Sequence, residues 1–452
     1  MNHLEEILAA ARQVAADIAA GPIVPSVSPS EIRDHLASRY DFRDPMALDN
    51  VTADVEDMLR RWHVQVTHPR YFGLFNPSVT PESVVADALA AMYNPQLATW
   101  RTSPAANEIE RHTLKWVARK FGLPDTAIAN FTTGGAEANL SAVIAALTRA
   151  FPDYRERGLQ SVAGLPAIYV TGESHHSFSK IAHMSGLGRA AIRAVSTDSS
   201  LKMDLSNLAR VVEEDEKRGL IPFMVVGTAG TTSAGVIDPL ADLVRFCQSR
   251  NLWFHVDAAW GGAAAISPNL RKHLAGIESA DSITCDAHKW FSVTMGSGMF
   301  FCRHAAALKA AFGIETSFMP AAMSEIADPY TTTVQWSRRF IGLKLFLSLA
   351  HRGEGGYASM IEYQTRLGDV LRECLSRAGW HIVNDTPLPV VCFTREGLNT
   401  SDFLAKVLGR QIAWIAKVRL GGGPSVLRAC ITSFRTSEAD IEWAVEEMTK
   451  LV

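Results

Sequence analysis

The chain has 452 residues, 47% of them apolar and 20% charged, with 44 lysines and arginines against 47 aspartates and glutamates. That length exceeds what one small core organises, so a large domain with one or two appendages is expected; the composition excludes a disordered or fibrous chain. A net charge of -3 gives no footprint for nucleic acid or an anionic membrane, and the charges read as a solvated surface.

Residues 4–20 carry apolar side chains at helical spacing and run into the proline-rich stretch 22–29. A second helical piece over about 47–63 precedes His68-Pro69-Arg70-Tyr71-Phe72. Neither helix has much to pack on by itself. Residues 1–65 are therefore expected to be a helical arm that leans on something else, a second subunit being one candidate.

From about residue 105 helices and strands alternate: a helix over 105–121, a turn at Thr132–Gly135, and a helix to about 150. Short β-rich runs follow at 167–172, 223–230, 253–260, 282–289 and 298–303, with helical stretches such as 204–218 and 238–250 between the first four. Near-continuous apolar strands separated by helices predict an α/β fold with a mostly parallel sheet covered on both faces. The last two runs, with a turn at Gly296–Gly298, are close enough for a hairpin. The large domain is placed at 66–356 and a small C-terminal α+β domain at 357–452.

Six cysteines (Cys247, Cys285, Cys302, Cys374, Cys392, Cys430) show no C-x-x-C pair and no histidine at zinc-site spacing. Reduced thiols in a cytoplasmic protein fit that pattern, and no metal is expected. No leader pattern and no bilayer-length apolar run is seen, so a soluble chain without a membrane partner is expected.

In parallel sheets, ligands sit beyond the carboxyl ends of the strands, where His175, Thr231, Asp257, His288 and Lys289 fall. A lysine ending a strand is ordinarily a solvated charge. Two neighbours argue otherwise: Asp257 ends the preceding apolar strand among small residues, and His288 is a good phosphate donor. A desolvated lysine can form an imine with an aldehyde cofactor. A carboxylate facing the cofactor's ring nitrogen keeps that nitrogen protonated, so the ring can take up electrons from a breaking substrate bond.

Thr132-Thr133-Gly134-Gly135-Ala136-Glu137 opens a helix, a setting for an anion, although many Gly-Gly turns merely start helices. His175 suits stacking on a ring and equally suits a hydrogen-bonded loop. Gly421–Pro424 reads as a turn between strands, since no helix follows it.

This ordered set, with Val256-Asp257-Ala258-Ala259 and His288-Lys289-Trp290, resembles the group II pyridoxal-phosphate decarboxylases, which include the aromatic amino acid, glutamate, histidine and 2,4-diaminobutyrate decarboxylases. The likeness runs from His68-Pro69 through Ser103-Pro104 to Leu427-Arg428. It implies pyridoxal 5′-phosphate as cofactor and a fold-type-I transferase architecture with a seven-stranded sheet. It also implies a homodimer with the active site at the interface and an amino acid as substrate. By the resemblance Lys289 is the Schiff-base lysine, Asp257 the partner of the ring nitrogen, and His175 and Ala259 the residues on the two ring faces. Gly135, Ala136, Thr231 and His288 match positions near the phosphate or ring. Tyr71–Pro77 and Gln96–Arg101 match the substrate pocket, part of it reaching across the dimer, and Arg428 matches an arginine near the site. Within those segments Tyr71, Leu74 and Phe75 suit an aromatic or bulky side chain but equally suit a core. Asn76, Gln96 and Arg101 keep an acidic or polar substrate open.

In one respect the chain departs from the family. Laid without a gap from Lys289, Phe318 falls where a mobile loop carries the tyrosine that protonates Cα. That replacement accompanies, in plant and insect relatives, oxidative deamination to an aldehyde, ammonia and hydrogen peroxide. Alternatively the loop is offset and Tyr330 is the donor, or His175 or a water serves. Decarboxylation of an L-amino acid to the amine is the favoured reading, ahead of the aldehyde synthase. A carbon–carbon lyase and an inactive relative rank below both.

Overall fold

The computed structural model describes residues 2–452 except 315, 317, 318 and 320–326. Seven strands form the central sheet: β1 (Ile128–Thr132), β2 (Leu165–Thr171), β3 (Ile192–Val195), β4 (Leu220–Thr228), β5 (Trp253–Asp257), β6 (Ser282–Asp286) and β7 (Gly298–Cys302). Their order is β1-β7-β6-β5-β4-β2-β3. The pairings from β6 through to β3 are parallel, and β7 is antiparallel to both its neighbours.

Successive residues of a strand face opposite sides of the sheet, and both sides are covered. In β2, Ala167 and Tyr169 enter one core cluster while Ile168 and Val170 enter the other. Every residue of β5 and β6 is buried, which is why these strands lack polar alternation. Trp290, fully buried, stacks on Trp260 at 5.0 Å and 17°. Truncating such a ring to alanine typically costs about 3–5 kcal/mol, so this stack is a firm floor for the turn that carries Lys289.

Three strands stop sooner than their apolar runs suggest: β4 at Thr228, β5 at Asp257 and β6 at Asp286. The residues beyond stay buried by packing rather than by strand pairing; Ala258, Trp260 and Ala287 belong to the main core cluster. Lys289 therefore lies in a turn three residues past β6 rather than in the strand itself. The expected hairpin pairs Ser282 with Cys302 through Asp286 with Gly298, but residues 287–297 connect it, not a tight turn. Strand β3 escapes the sequence reading because its four residues are mostly half-exposed.

Helices α1 (Asn2–Ala20), α2 (Pro29–Arg39) and α3 (Leu48–Trp62) come first, then α4 (Pro81–Tyr93), α5 (Pro104–Lys120) and α6 (Gly135–Ala150). α2 starts with a capping box between Ser28 and Glu31. Neither α2 nor α3 buries a single residue. The arm is tied to the C-terminal part where the Ile23 and Val24 N–H groups donate to Gln411 Oε1, both at 2.9 Å.

A long helix, Leu343–Arg377, bends at Gly353 (φ 67°, ψ 173°); the expected division between residues 356 and 357 lies within it. Beyond it β8 (His381–Ile382), β9 (Val390–Thr394), β10 (Ala416–Arg419) and β11 (Ser425–Cys430) form a second, antiparallel sheet in the order β10-β11-β9-β8. It has a core cluster of its own around Leu371, Phe393, Phe403 and Ile441. Among the described residues no helix is long and apolar enough to cross a membrane.

Candidate active site

A cavity of about 350 Å³ opens beyond the carboxyl ends of the central strands and is lined by Thr133–Glu137, Asn139, His175, Asp257, Ala259, Asp286, His288 and Lys289. That placement follows the general rule for such sheets. A larger cavity, about 600 Å³, lies beside α5; of the segments singled out in the sequence it takes in Trp100 and none of the candidate cofactor residues.

Asp257 ends β5 and is almost fully buried. Its two oxygens are both held: Oδ2 accepts from Asn139 Nδ2 at 2.9 Å, and Oδ1 accepts from the Ala259 N–H at 3.1 Å. Lys289 reaches the same cavity from the turn after the neighbouring strand. Its Nζ lies 3.1 Å from Asp286 Oδ2, with the lysine 22% exposed and the aspartate 2%. Burial opposes the charge on Lys289, but Asp286 and then Asp257 outweigh it and hold the amine above its ordinary range.

The two histidines present opposite ring nitrogens to backbone and cavity. His175 Nδ1 accepts from the Ser177 N–H at 3.2 Å, and His288 Nδ1 from the Ser297 N–H at 3.1 Å. An accepting Nδ1 leaves the proton of the neutral ring on Nε2. Burial pushes both rings below the usual histidine pKa, so both favour the neutral form. His288 Nε2 stands beside Gly134: a Cβ built there would lie 4.0 Å from it.

Helix α6 opens at Gly135, so the first N–H groups of the helix lie outside its own hydrogen-bond ladder and face the cavity end. The turn before it is braced by Glu137, whose Oε2 accepts from the Thr133 N–H (2.9 Å) and Oγ1 (2.7 Å) and from Gln335 Nε2 (2.8 Å). Glycine is needed at 135, since a Cβ would lie 2.9 Å from Asp286 Oδ2.

Other expected residues are placed differently. Thr231 is buried and shapes its own turn: its N–H donates to Val236 O and its Oγ1 accepts from the Val236 N–H. The neighbouring Thr232 lines the cavity instead. Tyr330 lies in a short 3-10 turn with its ring 5.0 Å from that of Trp336, outside the cavity lining. Phe318 lies outside the described residues.

Phe75 lines the cavity, its ring 4.6 Å from that of Trp260 and 4.5 Å from the guanidinium of Arg428, which is itself outside the lining. Arg428 is buried and donates from Nη1 to Gly73 O at 3.2 Å. Its Nε and Nη2 have no partner among the described residues. Tyr71 is buried, with its hydroxyl donating to Asn76 Oδ1 at 3.1 Å, and Leu74 is 52% exposed. Gln96 and Arg101 are exposed and outside the lining.

Sequence reasoning missed Asp286, Asn139 and Glu137. Asp286 was hidden as the last letter of an apolar strand; the signal was its place three residues before a candidate lysine. Asn139 lies four residues into α6 from Gly135, one helical turn on from the end that lines the cavity.

Comparison with known proteins gives a consistent picture. The family model described as the pyridoxal-dependent decarboxylase conserved domain matches residues 1–396. Tryptophan decarboxylase 2 of Oryza sativa subsp. japonica is 28% identical over 388 residues, 83% of this chain and 77% of its own length. Phenylacetaldehyde synthase of Arabidopsis thaliana is 29% identical over 361 residues, 77% of this chain and 73% of its own. The crystal structure of Oryza sativa TDC with PLP and tryptamine matches the fold with a TM-score of 0.91 at 23% identity, over 100% of this chain and 97% of that one.

Proposed function

The chain belongs to the pyridoxal-dependent decarboxylase family, and from that premise we propose that it removes the α-carboxyl group of an L-amino acid with an aromatic or bulky side chain, releasing carbon dioxide and the amine. The observation that carries the proposal is the meeting of Lys289 and Asp257 in one cavity at the ends of adjacent parallel strands.

The cavity fits pyridoxal 5′-phosphate. The α6 N-terminus and His288 Nε2 are suited to the phosphate, and the absence of a side chain at Gly135 leaves the backbone open to it. Asp257, held from two sides, would face the ring nitrogen, with His175 and Ala259 on the two ring faces. Lys289 would hold the aldehyde carbon, for which its amine must first give up the proton that Asp286 stabilises.

Bound there, the cofactor supplies an electron sink for the pair left at Cα when the carboxyl bond breaks. The chain's own residues do the rest. Phe75, backed by Trp260, would offer an apolar wall to the substrate side chain. Arg428 behind it carries unpaired buried N–H groups that suit a carboxylate. His175, protonated at Nε2 in its neutral form, would exchange a proton with the substrate.

A homodimer completes this reading. The apolar stripe Leu48, Val55 and Leu59 on α3 is exposed, and so are Gln96 and Arg101, which a second copy would bring to the cavity it faces. A cytoplasmic location goes with the proposal.

The second reading, an aldehyde synthase, is favoured by Phe318 in the sequence. The test is to incubate the purified protein, loaded with cofactor, with a panel of L-amino acids and to measure carbon dioxide, amine, ammonia and peroxide together. Amine equal to carbon dioxide supports the decarboxylase. Aldehyde with stoichiometric ammonia and peroxide replaces it with the synthase, and release of neither carbon dioxide nor amine rejects both.

A further inference from the structure

Asp257 does not stand alone beneath the cavity: a line of buried side chains runs from it across the sheet. Asn139 Nδ2 donates to Asp257 Oδ2 at 2.9 Å, and Asn139 Oδ1 meets His255 Nε2 at 3.0 Å. His255 Nδ1 lies 2.8 Å from Ser282 Oγ, and Trp253 Nε1 donates to that same oxygen at 2.8 Å. None of the five residues is more than 5% exposed.

The direction of the line is set from the Asp257 end, and the Trp253 end is compatible with it. An indole N–H can only donate, so Ser282 Oγ accepts from Trp253 and has its own proton to give onward. At the other end both Asp257 oxygens accept, one from Asn139 and one from the Ala259 N–H. The amide nitrogen of Asn139 must therefore face Asp257 and its oxygen must face His255. An acceptor there requires the proton of His255 on Nε2, which leaves Nδ1 to accept from Ser282. Every proton in the row points toward Asp257. The reverse tautomer of His255 would set two acceptors against each other at Asn139.

The surroundings keep His255 neutral. Burial pushes its pKa down to about 4 against the opposing pull of Asp257, and Phe178 closes it edge-on at 6.1 Å. Thr284 Oγ1 makes a long second contact with Nε2 at 3.5 Å. Bonds aligned in a row polarise one another in a low-dielectric interior, so a donor set two residues away still bears on the carboxylate.

We propose that Asn139, His255 and Ser282 are positioning residues that fix Asp257 as an acceptor and so hold the proton on the cofactor's ring nitrogen. His255 and Ser282 lie outside the cavity lining, and Asn139, which borders it, acts here through Asp257. The other charged or titratable groups near Asp257 are His175 on the loop after β2, Cys285 on β6, and Asp286 and Lys289 at and after the end of β6. None of these is altered by the substitutions below. The inference rests on the reading that Asp257 meets the ring nitrogen, and needs no particular substrate.

The test uses holoenzyme reconstituted with pyridoxal 5′-phosphate carrying 15N at the ring nitrogen, whose chemical shift in solid-state NMR reports its proton as pH is varied. Ser282→Ala and His255→Phe should each lower the midpoint of proton loss by about one pH unit. Ser282→Thr, which keeps the hydroxyl, should restore the wild-type midpoint. A wild-type midpoint in Ser282→Ala overturns the proposal, and a His255→Phe protein that does not fold leaves the Ser282 pair to decide. Asp257→Ala serves as the control: if it leaves the shift unmoved, the pairing of Asp257 with the ring has failed rather than the row behind it.

Discussion

Lys289 Nζ, on the turn that follows β6, and Asp286 Oδ2, at the end of that strand, stand 3.1 Å apart, the carboxylate buried and the amine facing the cavity. Asp286 is the largest influence raising the lysine's pKa against burial, so it holds the proton that must leave before the amine can bond an aldehyde. Asp286→Asn removes that charge without changing shape. The pH profile for covalent capture of pyridoxal 5′-phosphate, followed by visible absorbance, should then shift to lower pH by about one unit or more, the usual effect of one close opposite charge. A profile unmoved by the substitution would mean that the contact does not govern the amine.

Gly135→Ala tests the proposed phosphate-binding end of α6. The new methyl would sit 2.9 Å from Asp286 Oδ2 and 3.3 Å from Ala259 Cβ. Both neighbours are buried, so the crowding has no flexible side chain to absorb it. Overpacking of this kind costs about 1–3 kcal/mol. If that cost falls on the bound state, cofactor affinity measured by fluorescence titration drops about tenfold to a hundredfold. Gly355→Ala, in the long helix Leu343–Arg377 where a Cβ meets nothing within 4 Å, should leave the same affinity unchanged.

These two tests concern a part of the site that sequence alone read unevenly. The mostly parallel sheet was legible because its buried strands are nearly continuous apolar runs, whereas β1 and β3 were not read as strands and the count of seven came from the family resemblance. Asp257 and Lys289 were legible because each interrupts such a run with a charge. Asp286 was not, since a charge at the end of SITCD reads as part of the strand until the turn back to Lys289 is seen. Thr231 was matched to a position near the phosphate or ring and Thr232, which lines the cavity, was passed over, because a one-residue choice within a turn depends on backbone direction. The length of residues 287–297 was equally invisible: Gly296 suggests a turn, while the connection is set by burial of Trp290 and Phe291.

His68 offers a test of stability against pH. It is 2% exposed and its Nδ1 accepts from the Arg70 N–H at 3.0 Å. Burial, with Arg70 adding to it, pushes its pKa down to about 4 from 6.5. The unfolded chain therefore binds a proton between those values that the folded chain refuses, so stability falls as pH drops through that window. The full difference is about 3 kcal/mol. His68→Asn keeps an acceptor for the Arg70 N–H in an Asx turn and cannot titrate. Denaturant unfolding at pH 7 and pH 4.5 should give a smaller acid loss for the variant than for the wild type. An equal loss in both would place the acid sensitivity elsewhere.

The last test concerns the proposed dimer. On α3, Leu48, Val55 and Leu59 share one face at helical spacing and are 74%, 40% and 59% exposed. Arg60 and Arg61 beside them are engaged by Asp57 within the same helix, so the charged groups nearby already have partners. A second copy covering this stripe would bury it by two-fold symmetry, and any substitution would then count twice. Losing about 1.5 kcal/mol of leucine burial in each copy amounts to about 3 kcal/mol, or more than a hundredfold in the dissociation constant. Leu59→Asp adds the cost of desolvating a charge. Sedimentation velocity at micromolar concentration should show wild-type dimer and variant monomer. Carbon dioxide release should fall with the monomer fraction, because Gln96 and Arg101 would no longer face a neighbouring cavity. A variant that sediments as a dimer removes α3 from the interface, and an active monomer removes the shared site.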